Sequence, residues 1–195
     1  MLKILQDKVI PCFAKCPNYD ILNETLLNSY SLREMTMKQQ IFEMEGFQIS
    51  GIKTRTNNQS EMEPDTARIP VLWHRLEEEL ITQKIESQNN SGILFGVYSD
   101  FSDEDRGDYS LLIGKETDAK IKNDPSSQIS SVDIRPGKYL LFSGEGKMPE
   151  IVMKTWTDIW AYFNSSSEYR RAFKTDFEKY DPGQESKVEI YISVV

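Results

Sequence analysis

The 195-residue chain carries 31 acidic and 23 basic side chains, a formal charge of −8, with 38% hydrophobic and 11% aromatic residues. That length supports one domain or one compact duplication with a real core, and the aromatic content excludes an acidic disordered tail. The acidic balance argues against broad contact with nucleic-acid phosphates, which need a basic face. A mean hydropathy of −0.52 argues against a membrane protein, as does the lack of any stretch near the ~20 apolar residues of a membrane helix.

The opening MLKILQDKVIP breaks its apolar run with Gln6, Asp7 and Lys8 before a signal peptide could form. The expectation is a cytoplasmic protein without a membrane contact. Cys12 and Cys16 lie outside the CxxC redox spacing, and His74 is the chain's one histidine. A zinc set needs four ligands, so the two cysteines read as reduced thiols, with no metal and no cofactor. Leu22, Leu26, Leu27 and Tyr30 fall at helical spacing, in a segment too short for an independent helix-turn-helix domain. Residues 1–40 therefore read as an N-terminal extension of unassigned packing, and 41–195 as the folded unit.

Phe42, Met44, Phe47, Ile49 and Ile52 form a mostly alternating strand series. Pro64-Asp65-Thr66 predicts a helix entrance with Asp65 or Thr66 as cap. Ile69, Leu72, Trp73, Leu76 and Leu80 follow on one face, and Asn89-Asn90-Ser91-Gly92 ends the helix. His74, beside Trp73, reads as a helix-surface residue. Ile93–Tyr98 and Tyr109–Ile113 predict two strands around the loop SDEDRGD, which lacks the residue order of a calcium loop and reads as a solvated tip. KETDAKIKNDPSSQ reads as a surface linker.

Ile129, Val132 and Ile134 then lead through Pro136-Gly137 into Tyr139–Phe142 as one long bent strand. Pro149 suits the first position of a second helix, whose predicted buried face is Val152, Trp156, Ile159, Trp160 and Phe163. A last strand covers Val188–Val194, and Arg170 and Arg171 read as surface partners of Glu168 or Glu178. Strand, helix, strand, strand thus occurs twice, with Trp73 and Trp160 at the same helical phase. The pattern predicts an α+β fold built from two such repeats, with a groove where they meet.

No metal cluster, Gly-rich phosphate loop or nucleophile elbow is present. The feature that could carry chemistry is aromatic. Trp73, Tyr98, Tyr109, Tyr139, Trp156, Trp160, Phe173 and Phe177 are spread over both halves, and Glu178 sits in the run Phe177-Glu178-Lys179-Tyr180. Rings plus a carboxylate suit a flat cationic organic ligand through cation–π attraction and countercharge. The helix tryptophans serve equally well as core residues packed on a sheet.

Residues 43–195 resemble the GyrI-like small-molecule-binding domain, the effector-binding module at the C-terminus of some AraC-type transcription regulators. The resemblance rests on GFQISGIKTRT, IPVLW, ILFGVYSDF, DYSLLIG, GKYLLFSGEGKMPEIVMKTWTDIWAYF, DFEKYDP and VEIYISV, in that order. It implies two strand-helix-strand-strand repeats related by a pseudo-twofold around a central ligand cleft. It also implies that Glu178 faces that cleft, with Tyr98 and Tyr109 in its wall. Those regulators carry a DNA-binding domain ahead of the module, for which the forty residues here are too few, so a stand-alone form is implied. Some relatives sequester drugs or toxins, one kind acts on DNA gyrase, and some hydrolyse cyclopropane-bearing toxins with a Tyr and a Glu.

The reading that follows is a ligand-sensing or sequestering module, of the multidrug-binding kind, for small aromatic or cationic molecules. Its expected ligand-binding residues are Glu178, Tyr98, Tyr109, Trp73, Tyr139 and Phe177. The alternatives are a hydrolase working through Glu178 and Tyr98, and an inhibitor of a partner protein such as a gyrase modulator.

Overall fold

A computed structural model describes residues 40–85, 92–117, 128–165 and 168–195. Cys12, Cys16, the expected helix around Leu22–Tyr30, the helix stop at Asn89–Ser91 and the middle of the expected linker lie outside the described residues. The chain forms strands β1 (Gln40–Met44) and β2 (Phe47–Thr56), then helices α1 (Asn58–Met62), α2 (Ile69–Glu78) and α3 (Ile81–Lys84). Strands β3 (Leu94–Ser99), β4 (Tyr109–Thr117), β5 (Ser130–Ile134) and β6 (Gly137–Glu145) follow, then α4 (Glu150–Asn164), β7 (Asp176–Tyr180) and β8 (Lys187–Ser193). Among the described residues no helix is long and apolar enough to cross a membrane.

All eight strands join one antiparallel sheet in the order β1-β6-β8-β7-β3-β4-β2-β5. β1 pairs with β6 and β2 pairs with β5 in one continuing register, Met44 opposite Gly137 and Phe47 opposite Ile134. The break between them falls at Glu45-Gly46 and Arg135-Pro136, where Pro136 has no N–H to donate to a ladder. The expected bent strand of Ile129–Phe142 is thus split into β5 and β6 at this point. Its two pieces lie at opposite ends of the strand order, and the sheet curls to bring them together.

The curl is accommodated where β2 meets β4. Gly51 lies opposite Gly114. A Cβ on Gly51 would fall 1.9 Å from the carbonyl oxygen of Ile113, and one on Gly114 would fall 1.9 Å from that of Ser50. β4 also runs further than its apolar residues imply, through Lys115-Glu116-Thr117 of the expected linker. Backbone pairing with Ser50, Ile49 and Gln48 holds those residues in the strand despite their polarity.

The first long helix starts later than Asp65 or Thr66. Asn57 caps α1 through its side-chain oxygen, which accepts the Ser60 N–H at 2.8 Å. The start of α2 has no local side-chain cap. Its N–H groups are met instead by the buried Glu61, which accepts from Arg68 N at 2.9 Å and from Ile69 N at 3.2 Å. α2 stops at Glu78, so Leu80 leaves the predicted apolar face with φ of 50° and stands exposed, while Ile81 and Ile85 take the buried positions. His74 is on the outer side of α2, 3.3 Å from Glu78.

Alternation along the strands sorts the core into two clusters, one on each face of the sheet. Leu72, Leu76, Trp156 and Ile159 of the helices pack on one face against Tyr98, Leu111, Ile113, Ile190 and Ile192. The other face holds Ile49, Phe95, Val97, Leu112, Tyr139, Phe177 and Tyr191, covered by Phe42, Met44, Phe47 and Val132 from the curled ends.

The substitution Gly51→Ala is expected to force the two backbones apart. It should cost about 3 kcal/mol and lower the melting temperature by roughly 6–12 °C for a domain of this size. Thermal unfolding followed by circular dichroism measures this, and an unchanged melting temperature would show that β2 and β4 can separate freely.

Candidate functional site

Glu178 lies in the middle of β7 and points to the helical face of the sheet, with 3% of its surface exposed. Burying a carboxylate there is costly unless its oxygens are met by donors. Three aromatic side chains meet them. Trp156 Nε1 donates to Oε1 at 2.6 Å, Tyr98 Oη donates to Oε1 at 2.9 Å, and Tyr180 Oη donates to Oε2 at 2.7 Å. Room for the carboxylate comes from Gly96 directly across on β3, where a Cβ would come within 2.9 Å of Oε2. Burial pushes the Glu178 carboxyl above its usual range, and the bonds from Trp156, Tyr180 and Tyr98 only partly offset this. The indole N–H can only donate, so a proton on Glu178 belongs on Oε2, toward the Tyr180 hydroxyl.

The rings around this carboxylate touch one another. Tyr98 lies 5.1 Å from Trp156 and 5.5 Å from Tyr109 between centroids, and Trp156 lies 6.1 Å from Trp160. Tyr98, Tyr109, Trp156 and Trp160 line a small open cleft with Phe101, Asn58, Asp105 and Arg171. Burial, followed by the charge of Glu178, raises the Tyr98 phenol well above its ordinary value. Burial also raises the Tyr109 phenol, with Glu61 and then Glu178 adding to it. Both phenols therefore stay protonated donors across the physiological range.

Of the residues expected at the site, Tyr98 and Tyr109 line the cleft, and Glu178 lies buried behind its wall, bonded to Tyr98 and Trp156. Trp73 packs edge-on against Tyr180 at 5.4 Å and does not line the cleft. Tyr139 and Phe177 are corrected outright, since both belong to the cluster on the opposite face of the sheet. Phe177 is adjacent to Glu178 in the same strand, and adjacent strand residues point to opposite faces. The Tyr139 hydroxyl is taken up by the Arg135 carbonyl at 2.7 Å and by Thr175 at 2.9 Å.

The same alternation would have identified Tyr180, two residues from Glu178. Trp156, read as plain core, is both core and a donor to the carboxylate. Arg171 was expected on the surface beside Glu168 or Glu178, but it pairs with the fully buried Asp176 at 2.7 Å. No sequence spacing signals that pairing, because a turn and a left-handed Phe173 with φ of 51° bring the two together. Among the described residues no group of three His, Cys, Asp or Glu side chains could hold a metal ion.

The fold and this site can be set beside known proteins. Residues 40–194 match the family Cass2, integron-associated effector binding protein. An integron cassette protein from the mobile metagenome of Vibrio cholerae is 30% identical, with a TM-score of 0.68, over 80% of this chain and 95% of that one. YobU of Bacillus subtilis (strain 168), provisionally named a transcriptional regulator, is 27% identical over 74% of this chain and 90% of its own length. SAV2435, solved bound to tetraphenylphosphonium, shares the fold at 21% identity and a TM-score of 0.63, covering 82% of this chain and 94% of that one. The curled antiparallel sheet with helices on one face agrees with the GyrI-like effector-binding fold expected from the sequence.

The raised carboxyl has a measurable consequence. In the folded protein Glu178 keeps its proton to higher pH than in the unfolded chain. The stability this provides is complete below the unfolded-state pKa of about 4.3 and is lost as pH rises through the folded-state value. Melting temperatures measured from acidic to neutral pH should therefore fall relative to those of Glu178→Gln, which lacks the titration. A constant difference between the two proteins across that range would show that the carboxyl is not shifted.

Proposed function

Because the chain belongs to the family of integron-associated effector binding proteins, we propose that it binds small aromatic or cationic organic molecules in the cleft at Glu178, as a ligand-sensing or sequestering module. The observation that carries this reading is a buried carboxylate held, among the described residues, by three aromatic donors. Trp156, Tyr98 and Tyr180 orient Glu178 without neutralising it. Lys179, next in sequence, is turned away to Glu189. A cation arriving over the rings of Tyr98, Tyr109 and Trp156 would supply a countercharge to Glu178 and gain cation–π attraction. Tetraphenylphosphonium, the aromatic cation bound by SAV2435, supports this choice of ligand class.

The two halves read as repeats about a pseudo-twofold. Bent strand, helix and two strands occur in each, and β2-β4-β3 mirrors β6-β8-β7 in pairing order. The cleft then lies where α4 of the second half meets β3 and β4 of the first.

The pairing of a raised carboxyl with the Tyr98 hydroxyl also favours a second reading, hydrolysis of electrophilic, cyclopropane-type toxins. Glu178 would then pass a proton between water and the leaving group. Product analysis after incubation with such a compound separates conversion from binding.

Glu178→Gln tests the main reading, because the amide keeps the shape and removes the charge. A partly desolvated charge contact is worth about 1.5–3 kcal/mol, so affinity for a cationic aromatic dye should fall roughly tenfold to a hundredfold, with a much smaller loss for a neutral dye of the same size. Cation binding to the unaltered protein should also strengthen as pH rises and Glu178 ionises. Equal affinities of the two proteins for the cationic dye would remove Glu178 from the site.

A further inference from the structure

Arg171 is the basic group in the cleft wall, which Asp105 also lines, and cation binding leaves it unused. Its guanidinium carbon lies 4.6 Å from the ring centroid of Phe173, 5.4 Å from Phe101 and 5.7 Å from Trp156. Nε donates to Asp176 Oδ2 at 2.8 Å, and Nη2 lies 2.7 Å from the same oxygen. Asp176 is itself held, its Oδ1 accepting the Ser193 N–H at 2.7 Å and the Ser193 hydroxyl at 2.9 Å. A guanidinium gripped through two nitrogens by a fixed acid is set in direction as well as in place. It is not a mobile plug.

The clamp uses one side of the fork. Among the described residues Nη1 has no hydrogen-bond partner, although the side chain is only 9% exposed. That side chain nevertheless lines the cleft. Trp156 relates this donor to the carboxylate, since its indole N–H is on Glu178 and its ring lies against Arg171. An acid and a base thus stand at two sides of one indole. Asp176 balances the Arg171 charge at a distance, so a cation is not expelled from the cleft. At contact range the free N–H still seeks an acceptor, and an anionic one most strongly.

We infer that Arg171 is a second recognition point, so that the cleft favours flat aromatic molecules carrying an anionic group, such as a carboxylate, together with a cationic one. The acid lies on the guanidinium and the cation lies by Glu178. This rests on the ligand-binding reading of the cleft and specifies the class of ligand.

Two N-methylquinolinium probes test it, one bearing a carboxylate and the other its methyl ester, titrated into the full chain by calorimetry near neutral pH. The unaltered protein should bind the carboxylate probe more tightly. Arg171→Gln alone would strand the buried Asp176, so it is combined with Asp176→Asn to give a neutral pair. In that double variant the carboxylate probe should weaken roughly tenfold to a hundredfold, the worth of one charge-assisted hydrogen bond, while the ester holds or tightens. Equal changes for both probes, or none for either, overturn the inference. If the double variant does not fold, the unaltered protein decides, and an ester bound as tightly as the carboxylate probe overturns the role of Arg171 alone. Binding of neither probe overturns the cleft reading and this inference with it.

Discussion

A carboxylate on the inner face of a sheet, covered by a helix, has to be surrounded by donors or it destabilises the fold that buries it. Glu178 is surrounded by three, and each comes from a different place. Trp156 descends from α4, Tyr98 stands on the neighbouring strand β3, and Tyr180 is two residues along β7. Their convergence fixes where α4 can sit on the sheet and which face of β3 looks toward it. Gly96 is the complement of that arrangement, the absent side chain that leaves the carboxylate its space. That polar contact thus also sets the packing beside the cleft.

A second buried acid supports the other side of the same cleft. Asp176 takes Arg171 on one oxygen and Ser193 on the other, which ties β7 to the end of β8 and holds the guanidinium against Phe101, Trp156 and Phe173. A third, Glu61, gives two backbone N–H groups at the start of α2 the acceptor that no local residue supplies. Each of the three carboxylates is met by donors inside the fold. The acidic balance of the chain is therefore not only a matter of solvated surface.

The sheet that carries these groups can curl because its obstacles have been removed. Facing glycines at 51 and 114 let β2 and β4 cross closely, and Pro136 interrupts the ladder where the long strands bend. The curled ends then cover the second face of the sheet with Phe42, Met44 and Phe47. The helices need cover only the first face, and it is there, beside α4, that the cleft opens.

Alternation and helical periodicity by themselves determined much of this protein. They placed most strands and the second long helix, because side-chain direction follows from local backbone geometry, while it was the family resemblance that pointed to Glu178, Tyr98 and Tyr109. The same rule, applied strictly, separates Phe177 from Glu178 and joins Tyr180 to it. What the tertiary structure alone decided are the contacts that no strand or helix period sets. It set the cap from Glu61 on α2, the split of the bent strand at Pro136, the removal of Tyr139 to the opposite face, and the clamp of Arg171 on Asp176. A hydrogen bond made across an irregular stretch or between separate elements leaves no period in the sequence. It forms only when a buried donor or acceptor must find a partner, and that need arises only once the sheet has curled and the helices have closed over it.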